Sequence, residues 1–203
     1  MNTNLPFDPA TLRFYSEIAP TYRASGRDGR NRFLDRFIAK LPARARVVDL
    51  GCGGGIDAAT FLKHGFMVDA IEASRRIASE TSGRLGIDVR VKRFDQIEDV
   101  EVYDAAWASA SLIHVPRSAL SDVIRRVFRA LKLGGIHLAT FKSGGREGRD
   151  QAGRYYNYPS EQELISFYLA SAPWQITGTE RYAGGGFDGG TGPWVMIEAT
   201  KPA

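Results

Sequence analysis

The sequence predicts an α/β protein built on a doubly wound, mostly parallel sheet of seven strands that ends in an antiparallel hairpin. Strand-like and helix-like segments alternate along residues 45–141, a pattern typical of parallel sheets with helices on both faces. The order changes after residue 170, where two strand-like segments follow each other with only a glycine-rich stretch between them. We therefore expect these last two strands to close the sheet as a hairpin.

Each predicted element rests on its apolar pattern and on the residues that bound it. Ser74 is expected to cap a helix, because a serine oxygen can accept a first-turn backbone N–H. Gly134 and Gly135 are expected to end the amphipathic helix that precedes them. The predicted strands cover residues 45–50, 66–71, 87–94, 103–109, 136–141, 174–182 and 194–200, and the predicted helices cover 57–64, 75–85, 119–131 and 161–170.

Length and composition favour a single domain. A chain of 203 residues with 43% hydrophobic residues can bury one substantial core. We expect one domain over residues 1–203, with residues 1–40 as an N-terminal helical cap and residues 41–203 as the core. The glycine-rich stretches at residues 143–148 and 183–192 are expected to be loops, where a lid over a substrate could sit.

Charge, hydropathy and cysteine content indicate which partners are not expected. The net charge is +4, but 23 acidic residues are spread among 27 Lys and Arg, which favours a solvated mixed surface over a nucleic-acid interface. No apolar run reaches the roughly 20 residues that span a bilayer, and the N-terminus lacks a leader pattern. We expect a cytoplasmic protein with no membrane or nucleic-acid partner. Cys52 is the one cysteine, which excludes an internal disulfide and a cysteine-built metal cluster, and no metal is expected.

The most informative segment is V-V-D-L-G-C-G-G-G at residues 47–55. Glycines at such a bend let the backbone turn sharply and approach a ligand, as they do in nucleotide-cofactor loops. The dinucleotide fingerprint G-x-G-x-x-G would require a glycine where the chain has Ile56, which disfavours a nicotinamide cofactor. A tight strand-to-helix turn without a ligand is the alternative.

This segment resembles motif I of the class I S-adenosylmethionine (SAM) dependent methyltransferases, in which an apolar strand and an acid precede G-x-G-x-G. Asp49 stands in the acidic position. Residues 103–116, Y-D-A-A-W-A-S-A-S-L-I-H-V-P, resemble the Y-D-x-V-x-x-x-x-x-L-x-H-x-P signature of small bacterial members. Residues 130–135, A-L-K-L-G-G, resemble their L-K-P-G-G turn, with leucine in place of proline. The likeness covers roughly residues 11–142 and implies a Rossmann-like fold, SAM as methyl donor and S-adenosylhomocysteine (SAH) as product.

The resemblance implies a cofactor site at the carboxyl ends of the strands. Glu72 would accept hydrogen bonds from ribose hydroxyls, and Asp95 and Gln96 would receive the adenine amino group. Residues 15–22 resemble a Y-x-x-x-A-x-x-Y helix and turn that folds over SAM. The alternative for Glu72 is an exposed loop carboxylate, and the alternative for Asp95 is an ordinary turn residue. The two tyrosines could instead pack in the core. The predicted cofactor-binding residues are Tyr15, Tyr22, Asp49, Gly51, Cys52, Gly53, Glu72, Ala73, Asp95, Gln96 and Ser109.

Methyl transfer is an in-line displacement that depends on positioning and desolvation more than on acid or metal assistance. If the acceptor must lose a proton, His114 is the best-placed base by titration range and by position, although it could instead cap a helix or line the pocket. Residues 142–158 resemble a family segment near the acceptor pocket, where arginines could hold an anionic acceptor. A solvated basic loop beside packed aromatics is the alternative. The predicted substrate-binding residues are His114, Arg146, Arg149, Arg154, Tyr155 and Tyr156.

Three function classes remain open at this point. The chain lacks an N-P-P-Y or D-P-P-Y sequence after the fourth strand, which argues against methylation of adenine or glutamine amino groups and leaves a small-molecule acceptor as the default. A catalytically inactive SAM-binding regulator or scaffold is one alternative, and a nicotinamide oxidoreductase is a disfavoured second. The acceptor, the atom methylated and the oligomeric state are left open, because a fold does not determine its substrate.

Overall fold

A computed structural model describes residues 5–22, 31–185 and 190–203 of the chain. The helices are α1 (Pro9–Tyr22), α2 (Leu34–Ile38), α3 (Ile56–Lys63), α4 (Arg75–Leu85), α5 (Arg117–Ala130) and α6 (Glu161–Ser171). The strands are β1 (Arg46–Leu50), β2 (Met67–Glu72), β3 (Val89–Val91), β4 (Tyr103–Ala108), β5 (Leu131–Lys142), β6 (Gly148–Arg149), β7 (Tyr155–Tyr156), β8 (Gln175–Gly185) and β9 (Thr191–Thr200).

Seven strands form one sheet in the order β3-β2-β1-β4-β5-β9-β8. Strands β1 to β5 are parallel to one another, whereas β9 runs antiparallel to β5 and β8 runs antiparallel to β9. The predicted Rossmann-like sheet with its closing hairpin is confirmed. The strand order reverses between β1 and β4, and ligands of such sheets bind outside the carboxyl ends of the strands at this point.

Alternating residues of the central strands face two separate parts of the core. Val48 packs in the same cluster as Ile124 of α5, whereas its neighbour Val47 packs with Phe61 of α3 and Trp107 of β4. Successive side chains of a strand point to opposite faces, so helices cover both faces of the sheet. This burial explains why the central strands read as nearly continuous apolar runs.

The boundary between α5 and β5 differs from the prediction. The helix ends at Ala130, and Leu131 is already part of β5, so Gly134 and Gly135 lie inside the strand and do not end the helix. Leu131 is fully buried and pairs with Tyr103 at the start of β4. The reason is tertiary, because burial and strand pairing of Leu131 outweigh the local preference for a glycine stop. The helix also begins two residues earlier than predicted, at Arg117.

Two other predicted segments also differ in extent. Strand β3 covers only Val89–Val91, because the chain turns at residues 94–96 into a short 3₁₀ helix. The predicted loop at residues 143–148 leads into a small antiparallel pair of strands, β6 with β7. In the second glycine-rich stretch, the strands extend to Gly185 and from Thr191, and residues 186–189 lie outside the described residues.

Helix α1 lies across the carboxyl edge of the sheet. The hydroxyl of Ser16 donates to the Ser74 hydroxyl at the start of α4, at 3.2 Å, and Thr11 accepts the backbone N–H of Tyr155 at 2.8 Å. The helix therefore connects α4 to the β6–β7 pair above the strand ends. The division into a helical cap and a core stays a prediction. Within the described ranges, no helix is long and apolar enough to cross a membrane.

Candidate active site

A cavity of about 670 Å³ opens at the carboxyl edge of the sheet, where the strand order reverses, and α1 covers it. Cavities of this size suit small-molecule ligands. Most of the predicted site residues line it: Tyr15, Tyr22, Asp49, Gly51, Cys52, Gly53, Glu72, Ala73, Asp95, Ser109, His114, Arg154 and Tyr156. Gln96, Arg146, Arg149 and Tyr155 are not among the lining residues.

The glycine bend after β1 forms the floor of one end of the cavity. Gly51 and Gly53 have φ values of +72° and +50°, a left-handed conformation that side chains disfavour. A Cβ atom on Gly53 would lie 2.9 Å from the Tyr22 hydroxyl, and one on Gly51 would lie 2.8 Å from Cβ of Ser111. The bend therefore leaves a cradle that any larger residue would fill.

Glu72 is held rigidly beside this bend. Its Oε2 accepts the backbone N–H of Gly53 at 3.2 Å, and its Oε1 accepts that of Ser74 at 2.8 Å. Burial raises the pKa of Glu72 despite these hydrogen bonds, which favour the charged form. A carboxylate has about four lone-pair positions, so the fixed carboxylate can still accept a ligand hydroxyl.

Three carboxylates converge on this end of the cavity. Asp49, which is only 3% exposed, has a pKa well above its usual range, first because of burial and then because Asp57 and Glu72 lie near it. Asp57 accepts the indole N–H of Trp107 at 2.8 Å. Concentrated buried negative charge is unfavourable until a cation approaches. The glycine cradle, the hydroxyl-accepting Glu72 and these acids fit SAM, which carries a ribose, a sulfonium and an ammonium group.

The adenine-recognition residues predicted from the third strand have contacts of their own. Both oxygens of Asp95 accept N–H groups of Arg93, each at 2.9 Å, although Asp95 still lines the cavity. The Gln96 side chain accepts the backbone N–H of Arg93 at 3.0 Å. Phe94 and Ile77 line the same region and provide apolar surface that a planar base could contact. The role of Asp95 and Gln96 as adenine contacts stays a prediction.

His114 also lines the cavity, with a hydrogen bond to each ring nitrogen. Nδ1 is 2.6 Å from the carbonyl oxygen of Tyr155, and because a carbonyl only accepts, Nδ1 carries the hydrogen. Nε2 is then the acceptor for the Tyr15 hydroxyl at 2.9 Å. Burial lowers the pKa of His114 to about 4, so the imidazole is neutral at neutral pH.

The buried side chain of Arg154 helps to hold the Tyr15 hydroxyl beside His114. It is 1% exposed, and its Nε and Nη2 donate to one oxygen of Asp150 at 2.9 and 2.6 Å. Its Nη1 donates to the Tyr15 hydroxyl at 3.3 Å. The guanidinium carbon lies 4.9 Å from the centre of the Phe14 ring. The ion pair and the aromatic contact fix Arg154, and through it the hydroxyl of Tyr15.

The other predicted acceptor residues fasten the β6–β7 pair to its neighbours. Arg149 forms an ion pair with Asp8, with distances of 2.6 and 2.9 Å. The Tyr155 hydroxyl donates to Glu147 and accepts the backbone N–H of Arg117. Arg146 is exposed. These contacts place the three side chains on the outer side of the hairpin, and their role in acceptor binding stays a prediction.

The cavity also includes residues that the sequence did not single out. Lys142 ends β5, and its Nζ lies 4.7 Å from the centre of the Tyr156 ring. Asn31 is not a lining residue, but it donates to the hydroxyl of Ser109, which lines the cavity, at 2.8 Å. The position of Lys142 at a strand end was a usable signal, since strand ends meet at this edge. Asn31 carried no such signal, because it precedes the first strand by many residues. Within the described part of the chain, no group of His, Cys, Asp and Glu side chains could hold a metal ion.

Comparison with known proteins matches residues 22–172 to the sequence model of a family described as a methyltransferase domain. The malonyl-[acyl-carrier protein] O-methyltransferase of Enterobacter lignolyticus (strain SCF1) is 28% identical over 133 residues, 63% of this chain and 51% of that protein. The ubiquinone biosynthesis O-methyltransferase of Xanthomonas axonopodis pv. citri (strain 306) is 34% identical over 111 residues, 50% of this chain and 45% of that protein. The chain thus spans about half the length of these relatives.

The fold is also similar to a solved structure over its whole length. The 1,6-didemethyltoxoflavin-N1-methyltransferase of Burkholderia thailandensis, solved with bound 1,6-didemethyltoxoflavin and SAH, superposes with a TM-score of 0.76 at 22% identity. The superposition covers 100% of this chain and 93% of that chain. At this identity, the likeness establishes the fold.

Proposed function

The chain belongs to the methyltransferase-domain family, and from this premise we propose that it transfers a methyl group from SAM to a small-molecule acceptor. SAM is the cofactor, and SAH is the product. The names of two relatives, which refer to ubiquinone biosynthesis and to 1,6-didemethyltoxoflavin, support a small acceptor, whereas a third name refers to a malonyl group on acyl-carrier protein. The cavity supports it too, because its volume of about 670 Å³ is that of a small-molecule site.

The observation that carries the proposal is the fixed carboxylate of Glu72 beside the glycine cradle. Backbone N–H groups of Gly53 and Ser74 hold both of its oxygens, so the carboxylate is preorganised to accept hydroxyls and needs little reorganisation on binding. Asp49 and Asp57 line the same end of the cavity and would attract the cationic groups of the cofactor. When bound, SAM supplies a methyl group on a positively charged sulfur that a nucleophile can displace.

The residues around His114 would exclude water from the reacting groups. Tyr15 and Leu12 of α1 line the cavity together with Ile113 and Val115. An apolar, covered site of this kind favours a displacement that creates no new charge, because water no longer competes for the reacting groups. His114 would contribute as a neutral imidazole whose orientation is set by its two hydrogen bonds.

A screen of small-molecule acceptors that measures SAH release tests the proposal. The purified chain should release SAH with at least one acceptor, above the rate measured without acceptor. A Glu72→Gln preparation purified in the same way measures any contaminating methyltransferase. SAM binding without SAH release against any acceptor would contradict the proposed transfer and support an inactive SAM-binding regulator or scaffold.

A further inference from the structure

Asn157 is a buried amide that the proposed methyl transfer does not itself use. It directly follows β7 and is fully buried. Its Nδ2 donates to the carbonyl oxygens of Leu112 and Val115, at 2.8 and 3.1 Å. Its backbone N–H donates to the carbonyl oxygen of Ile113 at 2.9 Å. One residue therefore holds three carbonyl groups of the turn that contains His114.

The orientation of the Asn157 amide is set by the carbonyls of the turn. Carbonyl oxygens only accept hydrogen bonds, so the NH₂ group must face them and Oδ1 must point away. Oδ1 is buried, and within the described part of the chain no group donates to it. A buried acceptor without a donor costs free energy, which offsets what the two donated hydrogen bonds contribute. The amide thus contributes more to the position of the turn than to net stability.

The backbone just after Asn157 is strained. Tyr158 has a φ of +37° and precedes Pro159, although the residue before a proline prefers extended backbone. Arg117 holds this conformation, because its Nε donates to the carbonyl of Asn157 at 2.8 Å and its Nη2 to that of Tyr158 at 3.1 Å. Such strain persists only where the surrounding contacts impose it. The contacts that impose it here join the segment after β7 to the start of α5.

The same segment also holds the ring of His114. The carbonyl of Tyr155, two residues before Asn157, accepts the Nδ1–H of His114 at 2.6 Å, and the His114 and Tyr156 rings lie 4.6 Å apart between their centres. Asn157 thus fixes the backbone around His114, while Tyr155 fixes its ring. If the turn shifted relative to β7, the Nδ1 hydrogen bond would lengthen. The ring could then exchange between its two neutral tautomers, because the hydrogen bond at one nitrogen sets the state of the other.

We propose that Asn157 is a positioning residue for His114, which keeps the ring in one tautomer with Nε2 turned toward the Tyr15 hydroxyl. The inference rests on the proposed methyl transfer for its functional meaning, because His114 and Tyr15 line the cavity in which that transfer would occur. Asn157 is not among the residues that line the cavity. It would therefore act through His114 and not by contact with cofactor or acceptor.

The ring nitrogens of histidine report directly on this positioning by NMR. A single neutral tautomer gives well-separated shifts for the protonated and the unprotonated nitrogen, and exchange between tautomers brings the two shifts together. At neutral pH, the unmodified protein should show His114 with its hydrogen on Nδ1, and a His114→Gln variant assigns the signals. Asn157→Leu removes both donors at similar volume and should reduce the separation of the two shifts at least twofold. Asn157→Ser, which keeps one hydroxyl donor, should give an intermediate separation.

His137 is an internal control in the same spectra, because it is also buried and its Nδ1 donates to the carbonyl of Ala106 at 2.9 Å. Its shifts should stay unchanged in both Asn157 variants. Ser171→Ala is the matched control for the loss of a buried hydrogen bond elsewhere, since the Ser171 hydroxyl accepts the indole N–H of Trp174 at 3.2 Å. This variant should leave the His114 shifts unaltered.

Unchanged His114 shifts in a folded Asn157→Leu or Asn157→Ser protein would overturn the inference, and so would equal movement of the His114 and His137 signals. Hydrogen exchange in the unmodified protein needs no variant. The side-chain amide of Asn157 should exchange far more slowly than that of the exposed Gln162, and equal rates would also overturn the inference. Failure of SAH to bind the unmodified protein would contradict the proposed function instead, so the two failures are distinguishable.

Discussion

The hydroxyl of Tyr15 lies 2.9 Å from Nε2 of His114, and the opposite ring nitrogen lies 2.6 Å from the carbonyl oxygen of Tyr155. Tyr15 belongs to α1, which lies over the cavity, whereas His114 follows β4. The helix therefore sets the hydrogen bonding of a ring almost a hundred residues away. This relationship makes the state of His114 depend on the N-terminal helix.

Replacement of Tyr15 by phenylalanine should raise the pKa of His114 above its value of about 4, while burial, the main cause of the low pKa, persists. The Tyr15 hydroxyl donates to the neutral ring, and loss of a hydrogen bond to the neutral form makes protonation easier. An NMR titration of the His114 ring proton measures the change. Tyr168→Phe is the control, because Tyr168 is buried beside His137 and should leave His114 unaffected. A His114 titration that is identical in Tyr15→Phe and in the unmodified protein would count against the assigned hydrogen bond.

Replacement of His114 by alanine should lower turnover while SAM affinity stays within about threefold of the unmodified protein. The ring nitrogens of His114 are bonded to the Tyr15 hydroxyl and the Tyr155 carbonyl, and not to Glu72 or the glycine bend, so we expect its loss to affect the acceptor more than the donor. A loss confined to the reacting complex appears in kcat and kcat/KM together. Single-turnover rates and a SAM titration separate the two effects. Equal turnover in the variant would demote His114 to a structural role.

Replacement of Asp49 by asparagine should stabilise the ligand-free protein at neutral pH and weaken SAM binding. Burial raises the pKa of Asp49 in the folded state well above its ordinary value of 3.8, so the folded state binds the proton more tightly than the unfolded chain. The free energy of unfolding therefore falls as the pH rises from 3.8 through the folded-state pKa of Asp49. Asparagine does not ionise and avoids this loss. The unfolding temperature of the variant should exceed that of the unmodified protein at pH 7, and the difference should vanish below pH 3.8.

An effect on packing alone would not change SAM binding and stability in opposite directions, as we expect for Asp49→Asn. The cationic groups of SAM lose one negative partner in Asp49→Asn, so we expect SAM affinity to fall while stability rises. Calorimetric titration and thermal unfolding of one preparation measure both quantities. A variant that is less stable at pH 7 and binds SAM normally would refute the electrostatic role of Asp49.

Replacement of Gly53 by alanine should destabilise the protein by about 1–2 kcal/mol and weaken SAM binding. The residue has a φ of +50°, and the added Cβ would lie 2.9 Å from the Tyr22 hydroxyl oxygen. Removal of that oxygen in a Gly53→Ala, Tyr22→Phe double variant should restore part of the stability. Gly178→Ala is the control, since its Cβ would meet nothing within 4 Å. Denaturant unfolding that gives equal losses for Gly53→Ala and Gly178→Ala would contradict the cradle geometry.

Local patterns were sufficient to predict the parts of the molecule whose cause is local. The apolar run and the glycines at residues 47–55 predict a strand and a turn, because periodicity and glycine conformation are properties of neighbouring residues. The closing hairpin was predicted for the same reason. The α5–β5 boundary was not, since Leu131 joins the sheet through burial and pairing with Tyr103, which no local signal records.

Long-range pairing also decides which charged residues reach the cavity. Arg149 was predicted to hold the acceptor, yet the structure pairs it with Asp8, which lies 141 positions earlier in the chain. Lys142, seven positions before it, lines the cavity instead. A sequence shows that both residues are basic, but only the fold determines which of the two lines the cavity.

Calorimetric titration with SAM, SAH and NADH measures whether the cradle between the glycine bend and Glu72 binds SAM. We expect SAM and SAH to bind, NADH not to bind, and Glu72→Ala to weaken SAM binding at least tenfold by removing the hydroxyl-accepting carboxylate. Glu80→Ala, on the exposed side of α4, should leave the affinity unchanged. Binding of NADH without either sulfur compound, or unaltered SAM affinity in a folded Glu72→Ala variant, would show that the cradle is not a SAM site.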